Sequence, residues 1–197
     1  MKKNARNSSG KIIIKLKKKK PIIVVCGPGN NGGDGFIIGN YLHEKEYKVE
    51  VFCLQKKYYK GDALKAFKKL KIKTQNISKF KARKNLVIID CIFGTGLNKP
   101  ISGTLKSVIL RMNKLNKIIS IDIPSGINGD TGKILGCAIK TSMTLALHAK
   151  KIGHILDPGK KYSGKIIVVD IGISKKFNYI WIWTEGIYDY WFNFPLI

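Results

Sequence analysis

Acidic residues are scarce in this chain: 12 aspartates and glutamates face 37 lysines and arginines, a formal net charge of +25. Such an excess invites a polyanionic partner, because clustered cations gain by releasing counterions from a phosphate backbone. Here the lysines are spread along the chain, no basic helix is interleaved with aromatics, and no nucleic-acid motif is present, so no nucleic-acid partner is expected. Abundant isoleucine and asparagine point instead to a compositional bias. Long apolar runs are missing too. None reaches the roughly 18 residues of a membrane span, so a soluble protein with no membrane partner is expected. Cysteine is confined to Cys26, Cys53, Cys91 and Cys137, with no C-x-x-C pair and no ligand-like spacing to His43, His148 or His154. These read as small buried hydrophobes in a reducing compartment, which suits the cytoplasm. Residues 1–20 carry nine basic and no acidic side chains, and Ile12 to Ile14 is too short for a secretory apolar region. A solvated lead-in is expected there, with organellar targeting left open.

What the chain does have is a glycine run. Cys26 to Gly35 reads Cys-Gly-Pro-Gly-Asn-Asn-Gly-Gly-Asp-Gly, five glycines in ten residues. Such a run is expected to be a loop that uses the φ freedom of glycine. It follows an apolar strand, Ile22 to Cys26, and precedes a helical segment, Phe36 to Lys45. A strand, a tight loop and a helix N-terminus together make a place for a phosphate.

Beyond it, short β-rich runs at Val49 to Leu54, Leu86 to Asp90 and Ile118 to Asp122 alternate with helical stretches at Asp62 to Leu70 and Leu105 to Leu115. Further strands are expected near Met143 to Leu147 and Ile166 to Asp170. This order predicts an α/β fold with a mainly parallel central sheet covered on both faces, whose ligands bind beyond the carboxyl ends of the strands. With 197 residues, one domain suffices. The chain changes character after Lys176: nine of its nineteen aromatics, and all three tryptophans, fall in 177–197.

Three strand ends carry the unusual residues. The first delivers the glycine run. The next runs from Asp90 into Cys91-Ile92-Phe93-Gly94-Thr95-Gly96-Leu97-Asn98-Lys99-Pro100, and the last from Asp122 into Ile123-Pro124-Ser125-Gly126. Gly27, Gly29 and Gly32 formally spell G-x-G-x-x-G, but the acidic residue that a nicotinamide site places at the end of its second strand is absent; that strand ends at Leu54-Gln55. Oxygen atoms converging from Asn31, Asp90 and Ser125 would suit a hard cation, leaving Asp122 for proton transfer. Helix caps or loop braces are the plainer reading of any one of these aspartates.

Taken together, Gly27-Pro-Gly-Asn-Asn-Gly-Gly-Asp-Gly35, Asp90 with Phe93-Gly-Thr-Gly-Leu97, and Asp122-Ile-Pro-Ser-Gly126 resemble the NAD(P)H-hydrate epimerase family, the YjeF N-terminal domain. The likeness runs over about 21–174; in the basic lead-in 1–20, Met1 to Arg6 resembles only the last part of a family helix, as if truncated, and the aromatic tail 175–197 lies outside it. It implies a Rossmann-like three-layer αβα sandwich that interconverts the R and S epimers of hydrated NADH and NADPH. It also implies a possible homodimer and coupling to a separate or fused NAD(P)H-hydrate dehydratase. By motif position, Asn30, Asn31, Gly32, Gly33 and Asp34 would contact the hydrate, as would Gly94, Thr95, Gly96, Leu97, Asn98, Lys99 and Pro100. Asp122 would bind it and serve catalysis, and Asn31, Asp90 and Ser125 would hold a potassium ion. The rival readings are an oxidoreductase binding intact dinucleotide and a non-catalytic nucleotide-binding or partner-binding module.

Overall fold

A computed structural model describes residues 20–115 and 117–171. The aromatic-rich segment 177–197 and almost all of the basic lead-in lie outside the described residues. Seven parallel strands form one sheet: β1 (Ile22–Cys26), β2 (Val49–Cys53), β3 (Thr74–Asn76), β4 (Val87–Cys91), β5 (Ile118–Ile121), β6 (Met143–Leu147) and β7 (Lys165–Val169). Their spatial order is β3-β2-β1-β4-β5-β6-β7. The order reverses between β1 and β4, and there the connections leave on opposite sides and open a crevice at the carboxyl ends.

The central strands are almost wholly apolar because both faces are covered, with Asp90 of β4 and Ser120 of β5 as the exceptions. Along β1 the alternation of side chains sends Ile22, Val24 and Cys26 into one core and Ile23 and Val25 into the other. The first core is closed by α1 (Asn30–Glu44) and α2 (Gly61–Lys68), where Phe36 meets Tyr59 and Phe67 edge to face at 5.0 and 5.3 Å between ring centroids. The second is closed by α3 (Gly103–Met112) through Val108, Ile109 and Met112. Helix, sheet, helix is the expected αβα sandwich. A one-turn α4 (Gly159–Ser163) precedes β7.

The glycine run departs from expectation. The helix does not wait for Phe36 but begins at Asn30, so Gly32, Gly33 and Gly35 are helical, and none of the five glycines has a positive φ. Their purpose is close approach. A Cβ on Gly32 would lie 2.0 Å from the Gly27 carbonyl oxygen, one on Gly33 2.9 Å from Ala63 Cα in α2, and one on Gly35 2.6 Å from Cys26 Sγ. The run therefore seats α1 directly on β1, β4 and α2. Only Gly27 to Gly29 remains as a connection.

Candidate active site

The carboxyl end of β4 places Asp90 in the interior. Register sets it between Val25 of β1 and Ser120 of β5, and its side chain is fully buried. A buried carboxylate must be met by donors. Four reach it: Oδ1 accepts from Ile92 N at 3.2 Å and Ser125 Oγ at 2.6 Å, and Oδ2 from Ser120 Oγ at 2.8 Å and Ser125 N at 2.9 Å. Burial pushes its pKa up, and the bonds from Ser125, Ile92 and Ser120 partly oppose that shift. Ser125 also accepts from Phe93 N at 2.9 Å, so Asp90 and Ser125 tie the loop after β4 to the loop after β5.

Above this knot three predicted residues meet. A Cβ on Gly94 would sit 3.0 Å from Asp122 Oδ2 and 3.5 Å from Asn31 Cβ, so bare backbone is needed where these two side chains approach. Asn31 occupies the first turn of α1, and both polar atoms of its buried amide lack a partner. Leaving such a group unmet costs roughly 1–3 kcal/mol, the signature of a group kept for a ligand. Asp122 follows β5 with φ +71°, a left-handed backbone that costs about 1–3 kcal/mol on a residue other than glycine and clusters at functional sites. Thr95 N lies 3.4 Å from Asp122 Oδ2, at the outer limit of a hydrogen bond.

The opposite oxygen of Asp122 has a partner that the sequence did not disclose. Lys151, beyond the end of β6, donates its ammonium to Asp122 Oδ1 and also to the Leu147 carbonyl at 2.7 Å. In turn the Lys151 backbone N–H donates to His154 Nδ1 at 2.9 Å. His154 is buried, and its Nε2 makes no hydrogen bond of regular geometry. Burial, with the Lys151 charge adding to it, pushes the imidazole down to about 4, against the pull of the nearby Asp122. His154 is therefore neutral near pH 7. Lys151 is hidden among many lysines and no sequence signal marks it; two residues on, Gly153 is closely packed, where a Cβ would strike the Asn128 carbonyl at 2.3 Å.

The remaining predicted residues divide by exposure. Asn30 is exposed at the first position of α1, and Thr95, Gly96, Asn98, Lys99 and Pro100 are exposed on the loop after β4, with Leu97 half-buried. Gly32 and Gly33 are buried packing positions. Asp34 is buried as well, near Cys26 and Cys91; burial above all pushes these thiols up, and the Asp34 charge adds to the shift. Thiols so placed are poor nucleophiles. In chemical type, the Asn31 amide oxygen, the Asp90 carboxylate and the Ser125 hydroxyl are the hard oxygen donors that an alkali or alkaline-earth ion takes. The unpartnered Asn31 amide fits such a guest, which would share Asp90 with its present donors.

Comparison with known proteins shows the family. The family described as "YjeF-related protein N-terminus" matches residues 1–153. An NAD(P)H-hydrate epimerase of Lentilactobacillus buchneri is 35% identical over 158 residues, which cover 78% of this chain and 74% of that protein. One from Oenococcus oeni is 31% identical over 166 residues, covering 78% and 75%. A bifunctional NAD(P)H-hydrate repair enzyme Nnr of Thermofilum pendens is 33% identical over 169 residues, but the match spans 77% of this chain and only 31% of that longer protein. Among solved structures, yeast ynu0 superposes with a TM-score of 0.64 at 23% identity, covering 84% of this chain and 75% of its own, a likeness of fold. The chain belongs to the family of YjeF-related protein N-termini.

Proposed function

We propose that this protein is an NAD(P)H-hydrate epimerase, an isomerase that interconverts the R and S epimers of hydrated NADH and NADPH. The observation that carries the reading is Asp122: a carboxylate on a left-handed backbone at a parallel strand end, with one oxygen aimed at the glycine loop after β4, beside a buried amide with no partner. The α1 N-terminus supports it. Gly29 supplies no side-chain cap and the first turn has no acidic residue, so the unpaired N–H groups there suit the substrate's pyrophosphate.

The chemistry moves one hydroxyl. As the C6–O bond breaks, the lone pair of the ring nitrogen forms a C=N bond, a proton taken up from solvent passes by way of Asp122 Oδ2 to the leaving oxygen, and water departs. Water then adds to C6 from the other face and returns a proton, so atoms balance and no electron leaves the nicotinamide. Asp122 Oδ2 holds the hydroxyl and its proton during this exchange, within reach of the reacting atom as a general acid or base must be. Ring opening between N1 and C6 would pass through the same carboxylate. Gly94 and Thr95 shape the wall opposite.

A potassium ion is part of the proposal. Asn31, Asp90 and Ser125 would hold it, and its charge would offset the buried carboxylate at Asp90. The working partners are a small-molecule substrate and, by analogy with the bifunctional relatives, a dehydratase that consumes one epimer. We also propose a cytoplasmic enzyme, in line with its reduced cysteines; among the described residues no helix is long and apolar enough to cross a membrane.

Glu50, the one acid within β2, sits at its start rather than at the carboxyl end where a nicotinamide dehydrogenase holds the ribose, and is bound by Arg83 at 2.7 Å and Gln75 at 3.2 Å. That argues against an oxidoreductase. The test is incubation of the purified protein with separated R and S hydrates, followed by chromatography. Conversion of each into the same mixture, with the ring's redox state unchanged, is expected; epimers that stay apart, or a change in nicotinamide oxidation, would overturn the reading.

A further inference from the structure

We propose that Lys151 is a positioning residue for this site: its ammonium clamps Asp122 Oδ1 so that Oδ2 points at the substrate loop. The inference rests on the epimerase reading for its kinetic arm only. The geometry is a three-point hold from β6. Register pairs Ile121 with Leu145, and the Asp122 backbone N–H donates to the Leu145 carbonyl at 2.9 Å. Two residues on, the Leu147 carbonyl anchors the Lys151 ammonium, and that ammonium reaches back to Asp122 Oδ1. Backbone and side chain of Asp122 are thus both fixed by one strand. The two oxygens of the carboxylate are divided, one to the lysine and one facing Gly94 and Thr95.

The pair is sheltered enough for this to matter, with side chains 21% and 14% exposed. Fully exposed ion pairs hold geometry poorly, whereas partly buried ones lose much less to solvent and salt. Lys151 is itself prevented from drifting. The turn Ile152–His154 follows it directly, and the acceptor nitrogen of His154 takes its backbone N–H. A lysine wanted only for charge would need no such support. A free carboxylate at a left-handed residue would rotate, and positioning errors of about 1 Å are worth up to about 100-fold in rate.

The experiment uses Lys151→Met, Lys151→Arg and Asp122→Asn, alone and with Lys151→Met added. Lys151→Met is expected to lower kcat about 10- to 100-fold with KM within about twofold. Lys151→Arg should recover part of that loss, and Lys151→Met should add little to Asp122→Asn, because both act through one carboxylate. Wild-type kcat in Lys151→Met, a loss confined to KM, or losses that multiply in the double variant would overturn the proposal. Should Lys151→Met fail to fold, Lys151→Gln, which keeps an N–H for Leu147, takes its place on the same criteria. A crystal structure of the variant decides independently of activity: the carboxylate of Asp122 turned away from Thr95 supports the clamp, and an unmoved carboxylate refutes it. If the wild-type protein leaves the hydrates unchanged, the epimerase reading fails while the position of that carboxylate still tells for or against the clamp.

Discussion

Asn31 and His154 show how much of this site is kept at a cost to stability. Both are buried polar side chains, the Asn31 amide with no partner and His154 Nε2 with no hydrogen bond of regular geometry. Replacing Asn31 with alanine removes an unsatisfied amide from a helix and installs a better helix former, so stability should rise by a few tenths to about 2 kcal/mol. Thermal unfolding should show a higher midpoint, while epimerase activity falls. A lower midpoint would mean that the amide already has a structural partner. His154 makes a pH prediction. Its folded pKa, about 4, lies below the unfolded value near 6.5, so its contribution is complete above about pH 6.5 and is lost as pH falls toward 4. Asp90, whose pKa is raised, shifts stability the opposite way, so the useful quantity is the difference from a His154→Asn variant, in which Asp90 is unchanged. Wild type should lose stability faster than the variant between pH 6.5 and 4 in urea unfolding. Parallel curves would contradict the assignment.

Among the elements, α1 best separates what the sequence disclosed from what it concealed. A dense glycine run was legible as a special stretch, and its place between a strand and a helix was legible too. What could not be read was that the glycines are needed for proximity, because the atoms that they would strike, the Gly27 carbonyl, Ala63 and Cys26 Sγ, are distributed over three elements. Glycine inside a helix normally favours replacement by alanine, worth about 0.5–1 kcal/mol. At Gly35 a Cβ would lie 2.6 Å from Cys26 Sγ and 2.8 Å from Cys91 Cβ, and overpacking of about 1–3 kcal/mol should win. Gly35→Ala is therefore expected to lower the urea midpoint; an increase would mean that α1 can move away from the sheet. The central strands were legible because their runs are rich in isoleucine and valine, with a single polar residue at most in each of β1, β2, β4 and β5. Three-residue β3, Thr-Gln-Asn, has no apolar residue, and one-turn α4 is too short to show a period, so both escaped notice. Lys151 escaped for another reason: its partner is 29 residues away, and only the pairing of β5 with β6 brings them together.

At the scale of the molecule, the seven parallel strands among the described residues bring four strand ends to one edge, and function concentrates there: α1 with Asn31 after β1, Asp90 and Gly94 at and after β4, Asp122 and Ser125 after β5, and Lys151 after β6. The sandwich architecture and three of these four contributions were readable from motif order, since strand, loop and acid recur in a fixed sequence. The fourth required the sheet. The net charge of +25, although it follows the compositional bias of the chain, still attracts an anionic dinucleotide, and its salt dependence offers a whole-molecule expectation: KM should rise with ionic strength more than kcat falls, because screening weakens encounter before it alters a buried site. The sharpest measurement is the approach to equilibrium from pure (R)- and from pure (S)-hydrate, run side by side with wild-type protein and Asp122→Asn. Wild type should bring both to one ratio, and the variant should be slower by about 100-fold or more while unfolding at a similar temperature. A folded Asp122→Asn variant that equilibrates the epimers as fast as wild type would contradict the role given to this carboxylate.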